Sequence, residues 1–345
     1  MIPRVKSFIK PEWNNYLQHY LINDYNIGDF SIVDELEEKF CDFVGSKYAI
    51  AVNSATNAIL LSLLFLNLNE GDEIILPNYG HPAALNCLKL LKLKPVLVDI
   101  NPDTLSIDSY SIKFTNKTKA LIQIQNNACM GYDLEHIRNQ CDSEGVFFIE
   151  DASPSLGQKY KNTYAGTTGH VGIFSCSETK SLFAGEGSVI VTNDLNICLG
   201  LKKLRYISDY NSPTSCANFN LSPLLAAYLK PQFESIKEIL KTREEVHSMY
   251  LKHGVEVYSC PGVTNYYPTM MYLAKNPDNV VNKLNMFKIE TRYKYYPLFN
   301  DIISDSSFYP NSKMIRNRLI DLPFFMGITE DEVKAICNLI TIAEE

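Results

Sequence analysis

From about residue 30 to residue 200, short runs that are apolar throughout alternate with longer segments whose apolar residues recur at helical spacing. The short runs are Glu73–Pro77, Pro95–Ile100, Ala120–Ile124, Val146–Asp151, His170–Ser175 and Ser188–Asn193, each of strand length. Between them Ser54–Leu66, Ala83–Leu93 and Leu134–Glu144 read as helices. A strand that is apolar on both of its faces needs cover on both, so the pattern predicts an α/β fold with a largely parallel sheet between helical layers. Ligands in such sheets bind at the strand ends. After residue 220 the texture changes. A long helical stretch is expected from Ser222 to about Tyr250, with Arg243, Glu244 and Glu245 on its solvated face. A segment rich in Tyr, Asn and Pro follows, and a closing helix spans Thr329–Ala343. This implies two domains, 1–235 and 236–345, divided within the long helix.

Composition narrows the picture by exclusion. With 345 residues, 46% hydrophobic and 21% charged, the chain has the profile of a soluble globular protein of more than one core. The net charge of −7 leaves no broad positive field for nucleic acid, so a bound phosphate must be held by local geometry. The longest apolar run, Ala58 to Leu66, is too short to span a bilayer, and the N-terminus lacks the apolar stretch of a secretion signal. A cytoplasmic protein with no membrane partner is expected. The nine cysteines are scattered without a CxxC pair and the six histidines have no ligand spacing, which predicts free thiols and no metal site.

Candidate chemistry gathers at the predicted strand ends. Lys180 follows the run ending at Phe174 and Ser175, in FSCSETKSLFAGEGS (174–188). A lysine there is either exposed and inert or, if desolvated, a usable amine nucleophile. Asp151 ends VFFIED (146–151), where it is a helix cap, one half of an ion pair, or an acid facing a protonated ring nitrogen. Its neighbour Glu150 should face the other side of the strand. In NSATNAILL (53–61), Ser54 and Thr56 open an apolar helix. Their hydroxyls and the N–H groups of Ala55 and Thr56 make either a plain N-cap or an anion site. His81, after PNYG (77–80), is a surface histidine or a ring that stacks on a flat ligand. Neither a GxGxxG nor a GxxxxGK[ST] motif occurs. An amine, an acid for a ring nitrogen, a phosphate cradle and a stacking ring together are what pyridoxal phosphate (PLP) requires.

The motifs that carry these residues resemble the DegT/DnrJ/EryC1/StrS family of PLP-dependent sugar aminotransferases along nearly the whole chain. The matching segments are LEEKFCDFVGSKYAIAVNSATNAILLSL (36–63), EGDEIILPNYGHPAA (70–84), PVLVDINPDTLSID (95–108), VFFIEDAS (146–153), FSCSETKSLFAGEGSVIVTND (174–194), NFNLSPLLAA (218–227), IETRYKYYPL (289–298) and DLPFFMGITEDEV (321–333). The lysine segment is the most specific. The resemblance implies PLP fold type I: a large three-layer α/β/α domain with a mixed, mostly parallel sheet, and a smaller C-terminal α/β domain. It makes Lys180 the Schiff-base lysine, Asp151 the ring-nitrogen acid, Ala55 and Thr56 backbone phosphate donors, Ser175 a phosphate-binding hydroxyl and His81 the stacking ring. Asn218 would reach the phosphate of a neighbouring subunit, so a homodimer with shared sites is implied.

The same resemblance implies transfer of an amino group from L-glutamate to a keto-sugar, most often nucleotide-linked, in glycan synthesis. A small phosphorylated ketone is the alternative acceptor, and a non-catalytic PLP-binding member is the alternative function. The lysine stands against the family's dehydratase branch, in which a histidine replaces it. The chain departs from the family at Pro154, where Gln or His usually contacts the cofactor's ring hydroxyl. It departs also at His81 for an aromatic ring, Asn220 for an arginine, Ser188 for a glycine and Cys176 for an aromatic. The loops before Asn218 and Ile289 are short.

Overall fold

A computed structural model describes residues 1–26, 29–126, 130–206, 217–264 and 269–345. After helices α1 (Pro11–His19) and α2 (Ser31–Val44), strand β1 (Tyr48–Val52) leads into α3 (Ala55–Phe65), then β2 (Glu73–Pro77), α4 (Ala83–Leu90) and β3 (Lys94–Val98). The chain continues through β4 (Thr118–Ile124), α5 (Leu134–Glu144), β5 (Phe147–Asp151) and the small hairpin β6 (Lys159–Tyr160) and β7 (Thr163–Tyr164). Strands β8 (Val171–Ser175) and β9 (Ser188–Thr192) and helix α6 (Leu195–Arg205) follow.

These elements build a seven-stranded sheet in the order β1-β9-β8-β5-β4-β2-β3. All neighbours are parallel except at β9, which runs against both β1 and β8. The sheet is therefore mixed and mostly parallel, as the apolar runs predict. Every expected strand and helix of this region is present, with ends shifted by at most three residues. The expected runs do not include β1 or the two-residue strands β6 and β7; β1 is separated from α2 by Gly45, which ends that helix at φ 74°.

Side chains alternate across the sheet. On β1, Ile50 and Val52 join the core beneath α3, α4 and α6, while Ala49 and Ala51 join the core beneath α2 and α5. Two cores thus sandwich one sheet, and every strand of it but the edge strand β3 is largely buried on both faces, which explains the continuous apolar runs.

The expected long helix is two: α7 (Pro223–Glu234) and α8 (Ile236–Lys252), meeting at Ser235, whose φ of −92° and ψ of 6° lie off the helical basin. The division placed at residue 235 falls at this break. The apolar core changes further on, since Ile239 and Leu240 pack with the large sheet while Val246 and Tyr250 pack with the C-terminal core. That second core lies under a three-stranded antiparallel sheet ordered β10-β12-β11, from β10 (Met270–Leu273), β11 (Arg292–Tyr293) and β12 (Leu319–Leu322). It is completed by α9 (Pro277–Met286) and α12 (Glu330–Glu344); α10 (Phe299–Ile303) and α11 (Pro310–Arg318) lie between β11 and β12.

The two units are fastened at the sheet edge. Asn78, directly after β2, donates from Nδ2 to Asn300 Oδ1 at 2.9 Å and accepts at Oδ1 from the Asn300 backbone N–H at 2.7 Å, and its carbonyl accepts from Phe299 N at 2.8 Å. Asp99, one residue past β3, accepts from Asn311 N at 3.0 Å and Ser312 N at 2.8 Å, capping the first turn of α11.

Candidate active site

The parallel strands β1, β8, β5, β4 and β2 all end at one edge of the sheet. A cavity of about 310 Å³ lies there, closed by the N-terminal segment and the C-terminal unit. Seven of the eight residues singled out from the sequence, Ser54, Ala55, Thr56, His81, Asp151, Ser175 and Lys180, line it. Topology does this: each follows or ends a parallel strand, and parallel strands put their ends on one side.

Asp151 is buried at the end of β5 and accepts from Ser153 N at 3.2 Å and from the Ser153 hydroxyl. It belongs to no ion pair among the described residues, so its negative charge stays directed at the cavity. Glu150 takes the opposite face, accepting from Gly166 N (3.0 Å), Thr168 N (2.6 Å) and Gln125 Nε2 (2.9 Å), as strand alternation requires.

Ser54 is the N-cap of α3, its Oγ accepting from Asn57 N at 3.2 Å. The plain cap and the anion site are one arrangement. The cap leaves the Ser54 hydroxyl proton and the N–H groups of Ala55 and Thr56 for a ligand at the positive end of the helix. Ser175 ends β8, and its hydroxyl contacts Ser177 (Oγ at 3.2 Å, N at 3.2 Å). His81 is exposed to the cavity, with Nδ1 accepting from Ala83 N at 3.3 Å and its ring 5.9 Å from Tyr296, edge to face. Enclosure, then Lys180 and Arg292, hold its imidazole below the usual range, against the pull of Asp151. Gly80 lets this loop pass close: a Cβ there would lie 2.6 Å from Asn126 Oδ1.

Lys180 sits in the loop joining β8 to β9, which is tied at its base by Cys176 N to Gly187 O and Ala184 N to Cys176 O, both 2.8 Å. Gln232 of α7 grips the loop from outside through Phe183 N (3.1 Å) and Phe183 O (2.9 Å), and Arg243 of α8 donates to Lys180 O at 3.3 Å. The Lys180 amine itself has no hydrogen bond or ion pair among the described residues. Burial pushes it down to about 8; Asp151 opposes that, while Arg292 and Arg243 add to it. A neutral amine, the nucleophilic form, is thus accessible close to neutral pH.

One expectation is corrected. Arg243 does not lie on the solvated face with Glu244 and Glu245. Its guanidinium turns inward over the Phe324 ring at 5.2 Å and lines the cavity, because α8 packs its Ile239 side on the sheet. Asn218 lies outside this chain's own cavity, exposed at the surface, its Oδ1 accepting from Asn220 N at 3.4 Å. Pro154 is in the wall and offers no donor, as its identity requires. Residue reading misses Arg292, Tyr296 and Asp321, which the C-terminal unit contributes to the same wall. They lie more than a hundred residues from Lys180, and although their segments, 289–298 and 321–333, resemble the family's, nothing local assigns these residues to the site.

The residues fit PLP. The amine lacks a partner, the acid faces the cavity from a strand end, and an anion seat stands at a helix start, all in one enclosure of suitable size.

Likeness to known proteins agrees. A GDP-perosamine synthase of Vibrio cholerae is 27% identical, covering 99% of this chain and 98% of its own. The fold matches a DegT/DnrJ/EryC1/StrS aminotransferase from Brucella abortus with a TM-score of 0.86 at 22% identity, over 96% of this chain and 95% of that one. It also matches an E. coli GDP-4-keto-6-deoxy-D-mannose-3-dehydratase with bound hydrated PLP, TM-score 0.85 at 20% identity, over 99% of each. Fold alone therefore does not separate the two chemistries; family membership and the site must. The model of the DegT/DnrJ/EryC1/StrS aminotransferase family matches residues 9–341, and the chain belongs to that family of PLP-dependent enzymes.

Proposed function

We propose that the protein transfers an amino group from L-glutamate to the keto group of a nucleotide-linked sugar, in the synthesis of a surface polysaccharide or other glycan. It would act in the cytoplasm as a homodimer whose subunits share their sites. The observation that carries the reading is the partnerless Lys180 amine, held near 8 in one cavity with Asp151 and the α3 N-terminus. The full-length likeness to a GDP-perosamine synthase supports the acceptor class.

Bound PLP supplies an electrophilic aldehyde and an electron-withdrawing ring. Lys180 would hold the cofactor in its resting state. Once free, the same amine would take the proton from the donor's α-carbon as general base and give it up again as general acid. Its lowered proton affinity suits both roles. Asp151 would hold the ring nitrogen protonated, and Ser153 fixes the carboxylate's direction. Ser54, Ala55, Thr56 and Ser175 would hold the phosphate, with Asn218 reaching the partner subunit's site. His81 would cover the ring face. Lys180 in place of histidine favours transamination over dehydration.

The test is the half-reaction. On addition of L-glutamate, the absorbance band of the PLP-loaded protein should give way to that of the pyridoxamine form, with one 2-oxoglutarate released per site. Nucleotide-linked keto-sugars should then restore the first band. A band that persists with every amino donor would refute the reading.

A further inference from the structure

Arg243 has no part in the reaction scheme above, yet it reaches the lysine that does the chemistry. It stands on α8 at the crossing between the two cores. Ile239 and Leu240, before it, pack with the large sheet, while Val246 and Tyr250, after it, pack with the C-terminal core. Between them its guanidinium is turned into the cavity wall. Nη2 donates to the Lys180 carbonyl at 3.3 Å, and the guanidinium carbon lies 5.2 Å from the centre of the Phe324 ring. One contact belongs to the lysine loop and the other to the C-terminal unit. Phe324 is itself held, buried and with its N–H on the Arg4 carbonyl at 2.8 Å.

A charge in this place is costly. Burial pushes the guanidinium down to about 10. An apolar side chain of similar length would fill the same space without that cost. The arginine brings two things such a residue lacks. The first is grip. The Lys180 peptide is pinned on both sides, with its N–H on Ser177 O at 3.0 Å and its carbonyl on Arg243. With the peptide fixed, the direction in which the side chain leaves it is fixed too. The second is charge. The groups that face the Lys180 amine are Asp151 at the end of β5, Asp321 on β12, Arg292 on β11, Arg243 on α8 and His81 after β2. The two carboxylates favour the ammonium form, and the two guanidinium groups oppose it.

We propose that Arg243 is the positioning residue of Lys180: from the α8 side it grips the Lys180 carbonyl, aims the amine into the cavity and keeps a positive charge beside it. This rests on the aminotransferase reading and adds to it the residue through which the C-terminal unit bears on the lysine. Grip governs how fast the amine captures an aldehyde. Charge governs the pH at which it is free to do so.

The test compares wild type with R243M, which loses grip and charge, and R243K, which keeps the charge and loses the guanidinium fork. Two readouts apply to the cofactor-free, full-length protein. Trace labelling with acetic anhydride over a range of pH, with the Lys180 peptide followed by mass spectrometry, gives the titration midpoint of the amine. The rate of Schiff-base formation with added PLP, trapped by borohydride well above that midpoint, reads the aim alone. In R243M the midpoint should rise by about one pH unit, leaving about tenfold less neutral amine at pH 7, and capture should slow severalfold. R243K should keep the wild-type midpoint and still capture PLP more slowly. A merely structural role would lower the melting temperature and leave both readouts in place. An R243M midpoint equal to that of wild type, or an R243K midpoint that moves as far as that of R243M, would overturn the proposal. So would R243K capture at the wild-type rate, which decides the matter even where R243M does not fold. Wild type that captures no PLP, or that once loaded ignores every amino donor, would strike the aminotransferase reading instead. The labelling midpoint needs no cofactor and keeps the two failures apart.

Discussion

At the scale of single residues, the chemistry rests on how water is removed from one amine. Free lysine titrates near 10.5, and Lys180 is held down to about 8. Between those values the unfolded chain carries a proton that the native one lacks, so this group makes stability rise with pH across that window. Below about 8 both states are protonated, and the native state bears the full cost of enclosing the cation. Cofactor-free Lys180→Met should therefore be more stable than wild type at pH 7, and the difference should shrink as pH climbs from 8 to 10.5. Denaturant titrations at a series of pH values check this; a pH-independent gap would point to packing rather than charge. The same variant, loaded with PLP, should show no turnover at any pH.

At the scale of elements, the loop between β8 and β9 depends on its clamps. Gln232 satisfies both backbone groups of Phe183 and also donates to Tyr228 O at 3.0 Å. Its side chain is fully buried, so Gln232→Ala leaves an N–H and a carbonyl without partners. The expected loss is about 1–3 kcal/mol of stability. Amide exchange should quicken across residues 177–187 while the sheet stays protected, which hydrogen-exchange mass spectrometry would resolve. If exchange rose equally everywhere, Gln232 would matter to the whole core and not to the lysine loop. α3 has the opposite economy: one serine both caps the helix and leaves its start open to an anion.

At the scale of the molecule, the cavity is assembled from three directions. The sheet edge supplies the amine, the acid and the anion seat; the N-terminal segment supplies Arg4; the C-terminal unit supplies Arg292, Tyr296 and Asp321. The Asn78–Asn300 exchange and the Asp99 cap fasten that unit to the strands bearing His81. Asn218, exposed and away from its own cavity, is available to a second copy of the chain. If the sites are shared, Lys180→Ala and Asn218→Ala homodimers should each be impaired. Mixing them under subunit exchange should restore part of the turnover, because some mixed dimers hold one site with both residues intact. Mixtures no more active than their components would place Asn218 outside the site.

Much of this was written into the residues. Continuous apolar runs separated by helical segments determine a doubly covered sheet, because any other arrangement would expose them. Strand ends then determine where Lys180, Asp151, Ser54 and His81 go, since parallel strands share an edge. The motif around Lys180 carried the family. What the sequence did not decide was everything that depends on distant approach. Arg243 reads as solvated on its own helix and is turned inward only because α8 straddles two cores. Ser235 breaks a helix that local propensity would continue. Arg4, Arg292 and Asp321 lie 317 residues apart at the extremes and come to one wall of the cavity only when β11 pairs with β12 and the N-terminal segment is laid across them. Periodicity along a chain records which face of an element is buried; which elements then meet, and with what charges, is settled only by packing in three dimensions.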